Sequence, residues 1–183
     1  AAGTVGKNVF AYKSGKVEPI VGYDEVQVYV DGAFRSLSAA MTKLSLKPSV
    51  TGFGYKAEFT ADDAIKEMLV SQGYSIWLDG YGAINRTVSD FRNSLTLRLQ
   101  NFDIENYGAA KVNAKVYVEL SNGLIVETEV VSYSMQDMVE LIDTQLDSFS
   151  DEKLQAVKNM LEGYAAPKSW NISNLLAWTP NTE

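Results

Sequence analysis

The stretch "KVNAKVYVELSNGLIVETEVVS", residues 111–132, decides the fold class. Its first half alternates strictly, and side chains on a strand change faces at every residue. Val112, Ala114, Val116, Val118 and Leu120 therefore share an apolar face, while Asn113, Lys115, Tyr117 and Glu119 share a wet one. The Asn122-Gly123 pair supplies the turn chemistry of a hairpin, and "LIVETEVVS" supplies the returning strand. An antiparallel sheet with one buried face is the reading.

Neighbouring stretches repeat this pattern. "SLTLRLQNF" (94–102) turns Leu95, Leu97 and Leu99 inward, and "GFGYKAEF" (52–59) does the same with Phe53, Tyr55, Ala57 and Phe59. "VQVYV" (26–30) alternates ahead of an Asp31-Gly32 turn, and Ser14-Gly15 marks an earlier one. "FRSLSAAMTKL" (34–44) suits a strand or a short helix capped by Ser36 or Ser38, ended by Pro48. After the 52–59 strand, Thr60 and Asp63 resemble a capping-box variant opening a helix through "ADDAIKEMLVSQ" (61–72). Gly73 stands where a left-handed C-terminal cap belongs. "YSIWLDGYG" (74–82) returns to strand, and the polar "GAINRTVSDFRN" (82–93) reads as a loop.

The last third is helical. Ser134 caps a helix with Met135, Met138, Val139, Ile142 and Leu146 on one stripe. A second helix begins near Ser150 with Asp151 and Glu152 in its first turn. It carries Leu154, Val157, Met160, Leu161 and Tyr164 inward, and ends at Gly163 and Pro167. The tail "SWNISNLLAW" (169–178) offers two Trp residues to cover the hydrophobic body. The expected architecture is α+β: a mainly antiparallel sheet packed against two C-terminal amphipathic helices and one short inserted helix. One domain over 1–183 follows, with a small β-rich N-terminal lobe over 1–48 as an elaboration.

Composition narrows the chemistry. At 183 residues, 46% hydrophobic and 21% charged, the chain can bury a core unaided. It contains no Cys and no His, which removes disulfides, thiolate nucleophiles, cysteine zinc sites and the commonest general base. No phosphate-binding loop, dinucleotide fingerprint or nucleophile elbow is present. A non-catalytic protein without cofactors is the expectation. The net charge of −7 is concentrated in residues 103–152, where eleven acidic residues face two lysines. That segment opposes nucleic acid and anionic membrane surfaces as partners, and no apolar run suits membrane insertion. The opening "AAGTVGKNVF" and closing "WTPNTE" read as the ends of a segment excised from something longer.

Two constellations invite ligands. Trp77, Asp79 and Tyr81 alternate onto one side of the 74–82 strand, with Asn85 and Arg86 in the adjoining segment. Flat rings beside carboxylate, amide and guanidinium groups suit a glycan, whose apolar faces lie on rings while its hydroxyls take hydrogen bonds. The competing reading makes these rings core, buried under the C-terminal helices or Trp170. Asn101, Asp103 and Glu105 alternate in "NFDIEN" and would set three oxygen ligands on one side of an extended segment, as calcium prefers. Without the loop glycine and spacing of an EF-hand, a solvated strand end is the better reading, and no metal is expected. The sequons at Asn85 and Asn171 are assigned no role.

Several segments carry a resemblance: "VYVDGAFRSLSAAM", "VTGFGYKAEFTADDAIKEMLVSQGYSIWLDG", "LTLRLQNF", "AKVYVELSNGLIVETEVVSYSMQDMVELID" and "SWNISNL". Across residues 26–175 the chain resembles an accessory module of large secreted or cell-wall-attached multidomain proteins of anaerobic gut Firmicutes. The resemblance implies a bacterial, extracellular or cell-surface location and a non-catalytic role beside other domains of the same polypeptide. It carries over no functional residues. The function expected is binding of carbohydrate or scaffolding of neighbouring domains. The alternative is a structural or assembly subunit, such as a surface-layer, pilus or virion component, that works through protein contacts.

Overall fold

The computed structural model describes residues 25–180 in full and the backbone of three short strands before them. The strands are β1 (Gly3–Val5), β2 (Asn8–Ala11), β3 (Ile20–Val21), β4 (Glu25–Val30), β5 (Ala33–Lys47), β6 (Gly52–Ala61), β7 (Leu69–Leu78), β8 (Gly82–Val88), β9 (Ser94–Leu99), β10 (Val112–Leu120), β11 (Ile125–Glu127) and β12 (Val131–Tyr133). The helices are α1 (Asp63–Lys66), α2 (Ile104–Tyr107), α3 (Met135–Thr144), α4 (Asp151–Leu161) and α5 (Ser173–Ala177). The fold is α+β, with mostly antiparallel sheets, the single turns α1 and α2 between strands, and α3, α4 and α5 at the C-terminal end.

The strands form two sheets. The first runs β1-β2-β4-β5-β6-β9, the second β3-β11-β10-β7-β8, and β12 pairs with β10 beside β11. Two pairings are parallel, β2 with β4 and β3 with β11. The apolar faces of the two sheets merge into one buried cluster. Val26 and Val28, Leu37, Phe53, Tyr55 and Leu97 come from the first; Ile76, Val112, Val116 and Val126 come from the second. Tyr55 ties the layers together: its hydroxyl donates to the Val112 carbonyl at 2.5 Å and accepts from the Tyr133 amide at 2.9 Å. Burial pushes this phenol up to about 12.

Local chemistry sets the turns. Val30 and Ala33 pair across a two-residue loop in which Asp31 and Gly32 both have positive φ (51° and 81°), the backbone that suits a twisted hairpin. After β10, Gly123 takes φ 90° in a loop over residues 121–123. The returning strand is interrupted: β11 pairs Tyr117 with Glu127, whereas β12 pairs Ala114 with Val131, so one extra residue is accommodated between them. Thr128 fills the break, its hydroxyl accepting from the Val116 amide at 3.0 Å.

The C-terminal helices follow their signals. Ser134 and Asp137 form a reciprocal capping box at α3, and Ser150 caps α4 through the Lys153 amide. Met135, Val139 and Ile142 of α3 and Leu154 and Val157 of α4 are buried. The α4 helix packs against the turn Pro48–Val50 between β5 and β6, and Lys153 donates to the Leu46 carbonyl at 2.5 Å. Trp170 is buried, its ring seated against Gly108, where a Cβ would lie 2.8 Å from it. Among the described residues no helix is long and apolar enough to cross a membrane.

Of the strand or short helix expected over 34–44 the strand is found: residues 33–47 form one long strand, and Ser36 accepts from Gln27 at 2.8 Å. Two expectations are corrected. The helix expected over 61–72 is a single turn, α1, whose N-cap is Asp62; the chain is already β7 at Leu69. Gly73 therefore lies inside a strand. Residues 82–88 are strand β8 where a loop was expected. The Ser14-Gly15 turn lies outside the described residues. As for a lobe over 1–48, β4 and β5 are woven into the same sheet as β6 and β9.

Candidate functional site

Residues directly opposed in an antiparallel ladder point to the same side of the sheet. In the second sheet Tyr74, Ile76 and Leu78 of β7 are buried, so Ser75 and Trp77 point outward. Trp77 pairs with Ala83 on one side and Asn113 on the other; Ser75 pairs with Asn85 and Lys115; Gly73 pairs with Thr87 and Tyr117. The outer face thus carries two rings, Trp77 and Tyr117, with hydroxyl, amide and ammonium groups between them. Trp77 is half-buried and stands apart from the hydrophobic cluster. It is an outward ring and not a core one.

Gly73 shapes this face. A Cβ there would lie 2.1 Å from the Arg86 carbonyl oxygen and 3.0 Å from the Tyr117 ring. The missing side chain lets Tyr117 lean across the strand until its hydroxyl reaches the Thr87 hydroxyl at 2.6 Å. Tyr117 was placed on the wet face by alternation, yet its place on the same face as Trp77 needs the β7–β10 register, which sets Asn113 opposite Trp77 and Tyr117 opposite Gly73.

The proposed set of five is divided. Trp77 and Asn85 share the outer face. Asp79 is exposed at the end of β7. Tyr81 is turned away: its ring stacks on Phe102 at 5.0 Å, meets Tyr107 edge-on at 5.0 Å, and its hydroxyl donates to the Asn101 carbonyl at 2.6 Å. Burial raises the pKa of that phenol. The residue falls in the turn after β7, where alternation no longer holds, so it fastens the turn instead of extending the ring face. Arg86 pairs with Tyr74 and so lies on the opposite side of β8 from Asn85.

"NFDIEN" is not extended. Asn101 has φ 55°, and Asp103 caps α2, accepting from the Asn106 amide at 3.2 Å and its side chain at 2.7 Å. Those bonds from Asn106 hold the Asp103 carboxyl below its ordinary value. Glu105 accepts from the Ala165 and Ala166 amides at 2.7 and 3.0 Å. The carboxylates are engaged by backbone and do not converge. Among the described residues no cluster of three acidic side chains has metal-ligand geometry.

A second meeting of ring, carboxylate and amide lies in an open groove of about 650 Å3 between the end of α3 and α5, lined by Asp143, Asp147, Asn174 and Trp178. Asp143 is already committed: its carboxylate accepts from the Leu175 amide at 2.7 Å and the Asn174 side chain at 3.2 Å. Lys158 donates to the Trp178 carbonyl at 2.5 Å and sits 5.8 Å from the centre of its ring. These contacts clamp the tail to the body.

The chain matches no family model and no curated protein.

Proposed function

We propose that this chain is a non-catalytic accessory module of a secreted or cell-surface protein that binds a polysaccharide or other glycan through the outer face of its second sheet. The observation that carries the reading is that Trp77 and Tyr117 stand on one face, opposite Asn113 and Gly73 respectively, with Ser75, Asn85, Thr87 and Lys115 between them. Rings offer apolar contact to sugar C–H faces, and the interspersed polar groups take the hydroxyls. Because the platform is built on strands, its geometry is fixed before ligand arrives, which limits the ordering cost of binding. Asp79 sits at its rim as an exposed acceptor. The neighbouring domains of the parent polypeptide are its other expected partners.

Affinity electrophoresis through gels containing starch, xylan, mannan or mucin tests the reading. The parent protein should be retarded by at least one, Trp77→Ala and Tyr117→Leu should migrate freely while remaining folded, and Trp178→Ala should behave as the parent. Retardation abolished by Trp178→Ala alone would move the site to the α3–α5 groove. No retardation in any gel would remove the glycan reading. A second reading, a structural or assembly subunit acting through protein contacts, is favoured by one feature: the uncovered strand β8.

A further inference from the structure

Strand β8 is the terminal strand of the second sheet, hydrogen-bonded only to β7, and among the described residues nothing pairs with its outer edge; β9 is likewise terminal in the first sheet, but its Leu95, Leu97 and Leu99 are buried. Six of the seven residues of β8 are exposed, although their side chains point to both faces. Ile84 sits opposite the fully buried Ile76 and is nevertheless 41% exposed. The sandwich ends beneath β7, and β8 projects beyond it.

An edge of this kind is a template for another strand, and proteins that keep one unpaired blunt it with proline, lysine, bulges or very short strands. Here "GAINRTV" has no proline, no lysine, an unbroken seven-pair register and one charge, Arg86. The arm is also held at both ends. Tyr81 fastens the turn before it, and the Gln72 side chain clamps the Arg92 backbone after it, at 3.0 and 2.6 Å. A strand so fixed and so open is preorganised for pairing.

We infer that β8 is a docking edge for β8 of a second copy of this chain, the two strands running antiparallel with Asn85 facing Asn85. The side chains select the occupant and the register. Centred on Asn85, each Ile84 lies opposite Arg86 of the other copy, whose aliphatic stem covers it, while Ala83 lies opposite Thr87 on the outer face. Centring on Arg86 would set two guanidinium groups face to face; centring on Ile84 would leave Arg86 opposite Gly82, with nothing to cover. Pairing joins the two outer faces into one sheet that carries both Trp77 platforms. A single strand pair is a small interface, so the dimer is concentration-dependent. The inference rests on the assembly reading and is independent of glycan binding.

Sedimentation and light scattering over a wide concentration range test it, with the mass rising from 20.1 kDa towards twice that value. The register demands opposite responses at one position. Ile84→Glu meets Arg86 of the partner and should tighten the dimer about fivefold, whereas Ile84→Lys should weaken it by about the same factor. The chain has no cysteine, so Asn85→Cys should give a disulfide-linked dimer on mild oxidation, since facing residues of an antiparallel pair lie within disulfide reach. A protein that stays monomeric at every concentration, and whose Asn85→Cys variant does not cross-link, overturns the inference. Association that ignores the sign of the charge at position 84 also overturns it, while leaving the assembly reading intact through another surface.

Discussion

Strands β7 and β8 are the two arms of one hairpin, paired residue for residue from Gln72–Val88 to Leu78–Gly82. Their surroundings could hardly differ more. The β7 strand has neighbours on both edges and the first sheet beneath it, so Tyr74, Ile76 and Leu78 are buried; among the described residues β8 has one neighbour and no layer below, so six of its seven residues are exposed. Burial is conferred by the layer that faces a strand, and the side chains of the strand only permit it. The same hairpin therefore supplies a structural arm and an interaction arm.

The sharpest break of that comparison is an alanine at each of two opposed isoleucines. Ile76→Ala should cost about 2–5 kcal/mol, because it removes a fully buried side chain and leaves a cavity. Ile84→Ala, directly opposite, should stay within about 0.5 kcal/mol, as surface substitutions do. Urea midpoints measure both, and equal costs would mean that β8 is covered in solution. Next in size is Gly73→Ala, which forces a Cβ against the Arg86 carbonyl and the Tyr117 ring; a loss of about 1–3 kcal/mol is expected, with faster amide exchange across β8 than in the parent.

Gln72→Leu removes the side chain that grips the Arg92 backbone, at a cost of about 1–3 kcal/mol, and should release the far end of the arm. Exchange protection lost at residues 86–92 but kept at 74–78 would confirm that the arms open separately. Alkali addresses the buried side instead. Tyr55 ionises near pH 10 when unfolded and is pushed up to about 12 when folded, so the stability it gives is complete below pH 10 and lost as pH rises through 12. In Tyr55→Phe this alkaline loss should shrink, even though the variant starts less stable at neutral pH.

The C-terminal helices were legible because their signals are local. Ser134 with Asp137, and Ser150 with the acidic first turn after it, fix where α3 and α4 begin without reference to the rest of the chain. The segment from Asp62 to Val88 was not. "ADDAIKEMLVSQ" carries good helix formers, yet β10 offers a ladder that runs from Trp77 back to Leu69, and pairing with a distant strand outweighs an intrinsic preference of a few tenths of a kcal/mol per residue. Residues 82–88 are polar because neither face is buried, so strand and loop looked alike. Alternation set Trp77 on the side of β7 opposite Tyr74, Ile76 and Leu78, but whether that side was core or surface was not readable from it. Tyr81 was misplaced because alternation was carried one turn too far, and Tyr117 was left out because it joins Trp77 only across two strands.

By itself the sequence determined the α+β class, the buried faces of β6, β9 and β10, the caps of α3 and α4, and the absence of histidine and cysteine chemistry. Each of these depends on residue type or on spacing along the chain, which a single segment contains. Only the tertiary structure decided that the strands divide into two facing sheets, that one outer face gathers Trp77 and Tyr117, and that β8 is left with an open edge. Those are statements about which distant segments pair and which faces go uncovered, and backbone hydrogen bonding is the same for every residue. Register and coverage are therefore settled by the packing of the whole chain.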